Sequence, residues 1–476
     1  MRKFLGQFSA INMTEGEPWK KLLFFTVPLL IGNVFQQLYS TVDAIFLGRF
    51  VGDLALAAIG STIPLMFLIL MMSIGVALGA GVMVSQYFGA KSRLDLSHTI
   101  GTAITLTAIV SLALSIFGPM YTRTILILLR TPPEILDDGV LYLNVLLYGV
   151  IGLAFFNMLS GILRGVGEAI APLLYLIIAS LLNIVLNFLF IVVLRFGVFG
   201  AAIGTVIAQG LTSVLCLRKL IKMRDVFDMG LHYLIPRKKY VLQVLKLGVP
   251  SGASQAIFAI AMMITQPLVN GFGALFIAVN VIVMRIDGFV IMPAFSFGNG
   301  ITVYTGQNVG AGKMHRVDQG VKQCIIMSMS VSAVLVALML VLGRFIAGAF
   351  TETQEVIDLT MRMLWILALG YIAFSANIIL WGVIRGAGDA MSPFWGSIFN
   401  SIIIRLPTAF LFVRLLGRPE ALMLSLVTSW VMNLFIAIFV YKLGRWRKKG
   451  IVKKNPVPDD PEEVLNEPDE IEADCL

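Results

Sequence analysis

One stretch near the start of the chain, Gln36-Gln37-Leu38-Tyr39-Ser40-Thr41-Val42-Asp43, sets an acid, amides and hydroxyls inside an otherwise apolar run. On a helix Gln36, Tyr39, Ser40 and Asp43 fall at i, i+3, i+4 and i+7 and share one face. A carboxylate deep in a bilayer costs several kcal/mol unless it is paired, hydrated or protonated. The stripe is therefore expected to face a cavity in which Asp43 carries a proton; the competing reading is that Asp43 caps the loop after the span. Further on, Asn183 and Asn187 stand at i and i+4, and Thr205 opens the polar side of the next apolar run. Amides and hydroxyls bind a carboxylate, hold water or coordinate a small hard cation through oxygen, and they also serve as plain interhelical glue.

In the second half Arg285 and Asp287 flank Ile286. Residues two apart on a helix do not face each other, so each is expected to find its own partner. Arg405 either pairs with a carboxylate or snorkels outward. Gln255, Gln266, Asn270 and Asn280 make this half polar inside without adding charge. Gln36, Tyr39, Gln255, Arg285 and Asp287 are the candidates for a substrate cleft. Pro28 interrupts the hydrogen bonding of the first apolar run and is expected to bend it, as a kink or a hinge.

These residues must be positioned by membrane-spanning helices. Of 476 residues 58% are hydrophobic and 13% charged, with a mean hydropathy of +0.90, against about 25% charged in an ordinary soluble domain. At about 20 residues per span the chain holds twelve helices, starting near Leu22, Leu54, Ile100, Val140, Pro172, Val198, Val241, Leu275, Gln323, Val356, Phe394 and Ala421. No room is left for a large soluble catalytic domain. Most of the 36 Lys and Arg residues lie in the segments that are cytoplasmic if the N-terminus is, which puts both termini inside. The formal net charge of +9 follows that topology and gives no basic face for nucleic acid. Met1 to Lys21 is polar, so the first span itself is expected to direct insertion.

The chain also repeats itself. Gln86, Gly89 and Ala90 match Gln307, Gly310 and Ala311, and Arg164 to Ala169 matches Arg385 to Ala390, both at an offset of 221 residues. Six spans per repeat is an even number, so both halves enter the membrane in the same sense, as in alternating-access transporters built from two parallel lobes. The expected divisions are a cytoplasmic N-terminus (1–21), a first lobe (22–217), a basic cytoplasmic linker (218–240), a second lobe (241–444) and a disordered tail, basic then acidic (445–476). There is no Walker A sequence. His98, His232 and His315 are scattered, and Cys216, Cys324 and Cys475 form no paired motif, so neither a metal nor a cofactor is expected. The energy for transport is expected from a proton or sodium gradient.

The stretch Leu38 to Gly48, the run Gly306 to Ala311 with its weaker counterpart Ser85 to Ala90, and the two Arg-Gly-x-Gly turns resemble the MATE family of multidrug and toxic-compound extrusion transporters. The resemblance reaches to about Gly444 and is greatest for the prokaryotic DinF-like branch, because the first span keeps its acid while the seventh, Leu242 to Asn270, lacks one. It implies an all-α fold of two pseudo-symmetric six-helix lobes and cation-coupled export of amphiphilic, often cationic small molecules by a monomer in the cell membrane. Asp43 matches the branch's coupling acid, Asn183 and Thr205 its polar neighbours, and Pro28 the proline at which the first span bends. Asn187 departs from the pattern, standing where members of the branch carry a second acid, and this favours a proton over sodium. Asp287 fits an acid of the eighth span in related sequences. The alternatives are a flippase for a lipid-linked precursor, whose anionic headgroup calls for a basic cavity, and a membrane-embedded enzyme, for which the spans offer no nucleophile with a base.

Overall fold

Long runs of Leu, Ile, Val, Met and Ala in lipid must satisfy their backbone groups internally, which helices do. The structure, a computed structural model, describes residues 11–129 and 131–452; the side chains of residues 38–45 and of several positions between 53 and 72 lie outside the described residues. The first half comprises α1 (Pro18–Phe50), α2 (Asp53–Gly89), α3 (Arg93–Leu128), α4 (Pro133–Tyr148), α5 (Val150–Gly165), α6 (Ile170–Asn187) and α7 (Gly197–Lys222). The second comprises α8 (Lys238–Gly271), α9 (Gly273–Gly310), α10 (Met314–Gly348), α11 (Gln354–Gly386), α12 (Met391–Ile398), α13 (Leu406–Leu416) and α14 (Glu420–Leu443).

Among the described residues nine helical units are long and apolar enough to cross a membrane, and α4 with α5, bent by 51° at their junction, makes a tenth. Helices α1 and α2, of 33 and 37 residues, complete twelve. The chain is a multi-pass membrane protein. Each half has a widened turn in its fifth span: α6 runs into a π-helical segment at Phe188–Val193, and α12 is joined to α13 by another at Phe399–Arg405. The bend in the fourth span falls at Gly149, where a side chain would collide with Val206 of α7.

Both described ends of the chain come to one side, here the terminal face. The third and ninth spans start there earlier than hydropathy suggests, at Arg93 and Met314, because their first turns bury Leu96 and His98, and Val317 and Gly320, against neighbours. Residues 445–452 also depart from the expected disordered tail. They form a short 3₁₀ turn, Arg445–Lys448, in which Trp446 is 1% exposed, stacks on Tyr441 and donates its indole N–H to the Tyr441 carbonyl. The remainder, residues 453–476, lies outside the described residues, as do residues 1–10 of the expected N-terminal segment.

The halves meet near the terminal face. Gly75 and Gly79 of α2 pack on the backbone of α8 at Val244 and Gly248, where Cβ atoms would collide; small residues allow this close crossing in lipid. Asn33 of α1 donates to Ser296 Oγ of α9 at 3.0 Å. A shared core joins Met13, Leu22 and Phe25 to Phe297, Tyr304, Trp381 and Trp446. Beyond Gly252, by contrast, α8 exposes Gln255, Phe258, Gln266 and Asn270.

Candidate functional site

In the first half α6 and α7 bring their polar residues together. Asn187 Nδ2 donates to Asn183 Oδ1 at 2.8 Å, and Asn183 Nδ2 lies 3.4 Å from Thr205 Oγ1. All three are buried. Gly204 allows it, since a Cβ there would press on Asn187 Oδ1. The cluster abuts the π-helical turn at Phe188, and such widened turns often accompany functional sites. About one turn nearer the terminal face lies a cavity of about 160 Å³ lined by Gln36, Asn157, Ser180, Gln209 and Thr212 with apolar Phe156.

Asp43 lies in the backbone of α1, seven residues beyond Gln36, as Asn187 lies seven beyond Ser180 on the neighbouring α6. Parallel helices with this register carry the Asp43 and Asn187 positions to one level. The side chains of Asp43 and Tyr39 lie outside the described residues. Pro28 sits within α1, which remains one continuous helix through it.

The second half treats its two charges on α9 separately. Asp287 is turned inward toward the Tyr371 hydroxyl of α11 and the Arg405 guanidinium at the end of the second π-helical turn. Arg405 also lies over the Phe258 ring at 5.6 Å, one turn from Gln255 on α8. One oxygen of Asp287, the Tyr371 hydroxyl and one Arg405 nitrogen are buried without a close hydrogen-bond partner. A water or a bound group would satisfy them, since buried polar atoms are rarely left unpaired. Tyr371 was not legible as a site residue, being one aromatic within an apolar span. Arg285 points elsewhere and lines a groove between α9 and α10.

The repeat markers form a contact between the halves whose partners sequence spacing alone does not reveal. Gln86 Nε2 donates to the Gly386 carbonyl at 2.9 Å and its Oε1 accepts from Ile451 N at 2.7 Å. Gln307 Nε2 donates to the Gly165 carbonyl and its Oε1 accepts from Met13 N, both at 3.0 Å. Each glutamine therefore binds the Arg-Gly turn of the other half and one terminal segment. Gly89 and Gly310 are required beside them: a Cβ at Gly89 would strike the Gln307 carbonyl, and one at Gly310 the Gln86 carbonyl. The N-terminal segment is held further by Asn308, Lys313 and Arg316, which donate to the carbonyls of Met13, Thr14 and Gly16. Together these bonds close the terminal face.

Comparison with known proteins agrees with this architecture. The MatE family model matches the chain twice, at residues 28–189 and 250–411, one copy per half. "Probable multidrug resistance protein YoeA" of Bacillus subtilis (strain 168) is 28% identical over 451 residues, covering 91% of this chain and 96% of that protein. "Probable multidrug resistance protein YpnP" of the same organism is 26% identical over 441 residues, 92% and 98% of the two chains. A solved structure described as the outward-facing conformation of a multidrug resistance MATE family transporter of the MOP superfamily superposes with a TM-score of 0.86 at 23% identity, over 93% of this chain and 98% of that one.

Proposed function

The chain belongs to the MATE family, a family of secondary transporters, and from that membership we propose that it exports amphiphilic, often cationic small molecules in exchange for an entering cation, a proton in preference to sodium. The observation that carries the choice of ion is the buried cluster of Asn183, Asn187 and Thr205. It offers neutral oxygens at the level of one acid position, Asp43. One carboxylate suffices to carry a proton, whereas stripping water from sodium calls for several well-placed oxygens, preferably with more negative charge. The acid in α1, with none in α8, supports a place near the DinF-like branch. The drug-like substrate class is supported by the names of the multidrug resistance relatives.

Alternating access in this reading opens and closes the two faces in turn. The terminal face is the cytoplasmic one, supported by its basic residues Lys91, Arg93, Lys219, Lys239, Lys313 and Arg316, and the protein resides in the cell membrane. Substrate meets Gln36 and Tyr39 from the first lobe and Gln255 and Asp287 from the second, and Pro28 is the hinge that relates the state of Asp43 to the shape of the first lobe's cavity. The coupling ion is tested in proteoliposomes by imposing a pH gradient or a sodium gradient separately on the protein and on Asn187→Asp. A pH gradient drives export by the unaltered chain, and the added carboxylate raises sodium dependence. Export that requires sodium and ignores the pH gradient refutes the proton assignment.

A further inference from the structure

The second glycine of each Arg-Gly-x-Gly turn has a task that the bonds of Gln86 and Gln307 leave unexplained. Gly167 and Gly388 take φ of +90° and +100°, a left-handed region that favours glycine. Each lies against the backbone of a terminal segment: a Cβ at Gly167 would strike the Ile11 carbonyl, and one at Gly388 the Lys449 carbonyl. Ile11 N donates to the Gly167 carbonyl of the first half at 3.0 Å. Two residues on, Met13 N is bonded to Gln307 of the second half. At the other end of the chain Lys449 lies against Gly388 of the second half, and two residues on Ile451 N is bonded to Gln86 of the first. Each terminal segment therefore spans the two halves within two residues.

Two residues reach at most about 7 Å. The attachment points on the two halves cannot come further apart than that while both hold, so a wide opening of the terminal face must break one contact of each segment. The grips are unequal. Residues 13–16 are bonded by Gln307, Asn308, Lys313 and Arg316 of the second half, whereas the first half bonds this segment through Gly167. In the other segment Trp446 is bonded to the Tyr441 carbonyl and Arg447 is paired with Asp318 of α10, both in the second half. Its grip on the first half is the Gln86 bond to Ile451 and the packing of Ile451 and Val452 on the core around Leu163 and Val166. We propose that residues 11–16 and 445–452 are straps that stay with the second half, and that the terminal face opens by release of Ile11 from Gly167 and of Ile451 from Gln86. The first strap runs into α1 through Glu17 alone, so it holds the foot of α1 as well, where Leu22 and Phe25 already pack with Phe297 and Tyr304 of the second half. The proposal rests on the alternating-access reading in that the face opens, and on no choice of ion or substrate.

The test is the distance between pairs of spin labels in the full chain carrying Cys475→Ser, since Cys216 and Cys324 are buried. The pair Leu94→Cys with His315→Cys spans the two halves. Glu15→Cys is paired with His315→Cys to follow the first strap against the second half, and with Leu94→Cys to follow it against the first. Ile11→Pro and Ile451→Pro each remove one N–H that grips the first half and leave the bonds to the second half in place. Each leaves a buried acceptor unpaired and raises the long-distance population of the Leu94 and His315 pair by roughly tenfold. In that population the Glu15 to Leu94 distance lengthens, while Glu15 to His315 keeps its short value. Lengthening of Glu15 to His315 instead overturns the proposal, because the segment then leaves with the first half. An unchanged Leu94 to His315 distribution in both proline variants also overturns it, because the segments then do not fasten the face. Should Ile451→Pro not fold, a chain ending after Lys449 lacks the same bond and decides. The distances are read without transport, so a failure of export in vesicles refutes the proposed function and leaves the straps standing.

Discussion

Gln86 and Gln307 occupy equivalent positions of the two repeats, and each donates to the carbonyl of the glycine in the other half's Arg-Gly turn, Gly386 and Gly165 respectively. The bonds are buried and reciprocal, so the terminal face is closed by a latch with the same twofold pseudo-symmetry as the fold. Replacing either glutamine with alanine leaves a buried carbonyl and a buried backbone N–H unpaired, at a cost of about 1–3 kcal/mol to the closed state. Since 1.4 kcal/mol is about tenfold in an equilibrium, Gln86→Ala or Gln307→Ala shifts the population toward opening at this face by roughly tenfold or more. Spin labels at Leu94→Cys and His315→Cys report the change as longer distances. Unchanged distance distributions in both variants mean that the glutamines do not hold the face shut. Gly89→Ala acts more severely, because its Cβ meets the Gln307 backbone, and it abolishes transport in a protein that still inserts.

Asp287 and Arg405 are expected to be energetically coupled. The two charges face the same half-buried pocket, so removing either leaves the other less compensated, and Asp287→Asn lowers thermal stability in detergent as Arg405→Gln does. The double substitution restores part of the loss. A thermodynamic cycle whose effects add without interaction shows that the two do not sense each other.

Pro28 is expected to matter to turnover and little to folding. Pro28→Ala restores a backbone hydrogen bond and favours a straight α1 by up to about 3 kcal/mol, a shift of roughly a hundredfold in a two-state equilibrium. Export slows while expression and melting stay near those of the unaltered chain. Full export activity in Pro28→Ala removes the hinge from the mechanism.

The twelve helices and the repeat were legible because lipid imposes length and hydropathy on every span, and because the Gln-x-x-Gly-Ala and Arg-Gly-x-Gly motifs recur at one offset. The opposite placement of Arg285 and Asp287 followed from their spacing of two. What spacing could not convey was the partner of each residue. Gln86 and Gln307 stand out as repeat markers, but their acceptors lie in the other half, about 300 and 142 residues away. Trp446 falls in the stretch expected to be a disordered tail, yet its indole is buried. The π-helical turns after Asn187 and before Leu406 have no local signature, since the apolar residues in them suit an α-helix equally well. Asn183, Asn187 and Thr205 were recognisable as polar intruders, whereas Tyr371 was hidden among aromatics that simply pack.

Asp43 is the residue proposed to couple export by this transporter to a cation. The most direct measurement is export of a fluorescent amphiphilic cation from proteoliposomes under an imposed pH gradient, comparing the unaltered protein with Asp43→Asn at matched incorporation. Gradient-driven export is expected from the unaltered protein and none above protein-free vesicles from Asp43→Asn, with both variants folded by melting temperature. Equal gradient-driven export by the two would contradict it.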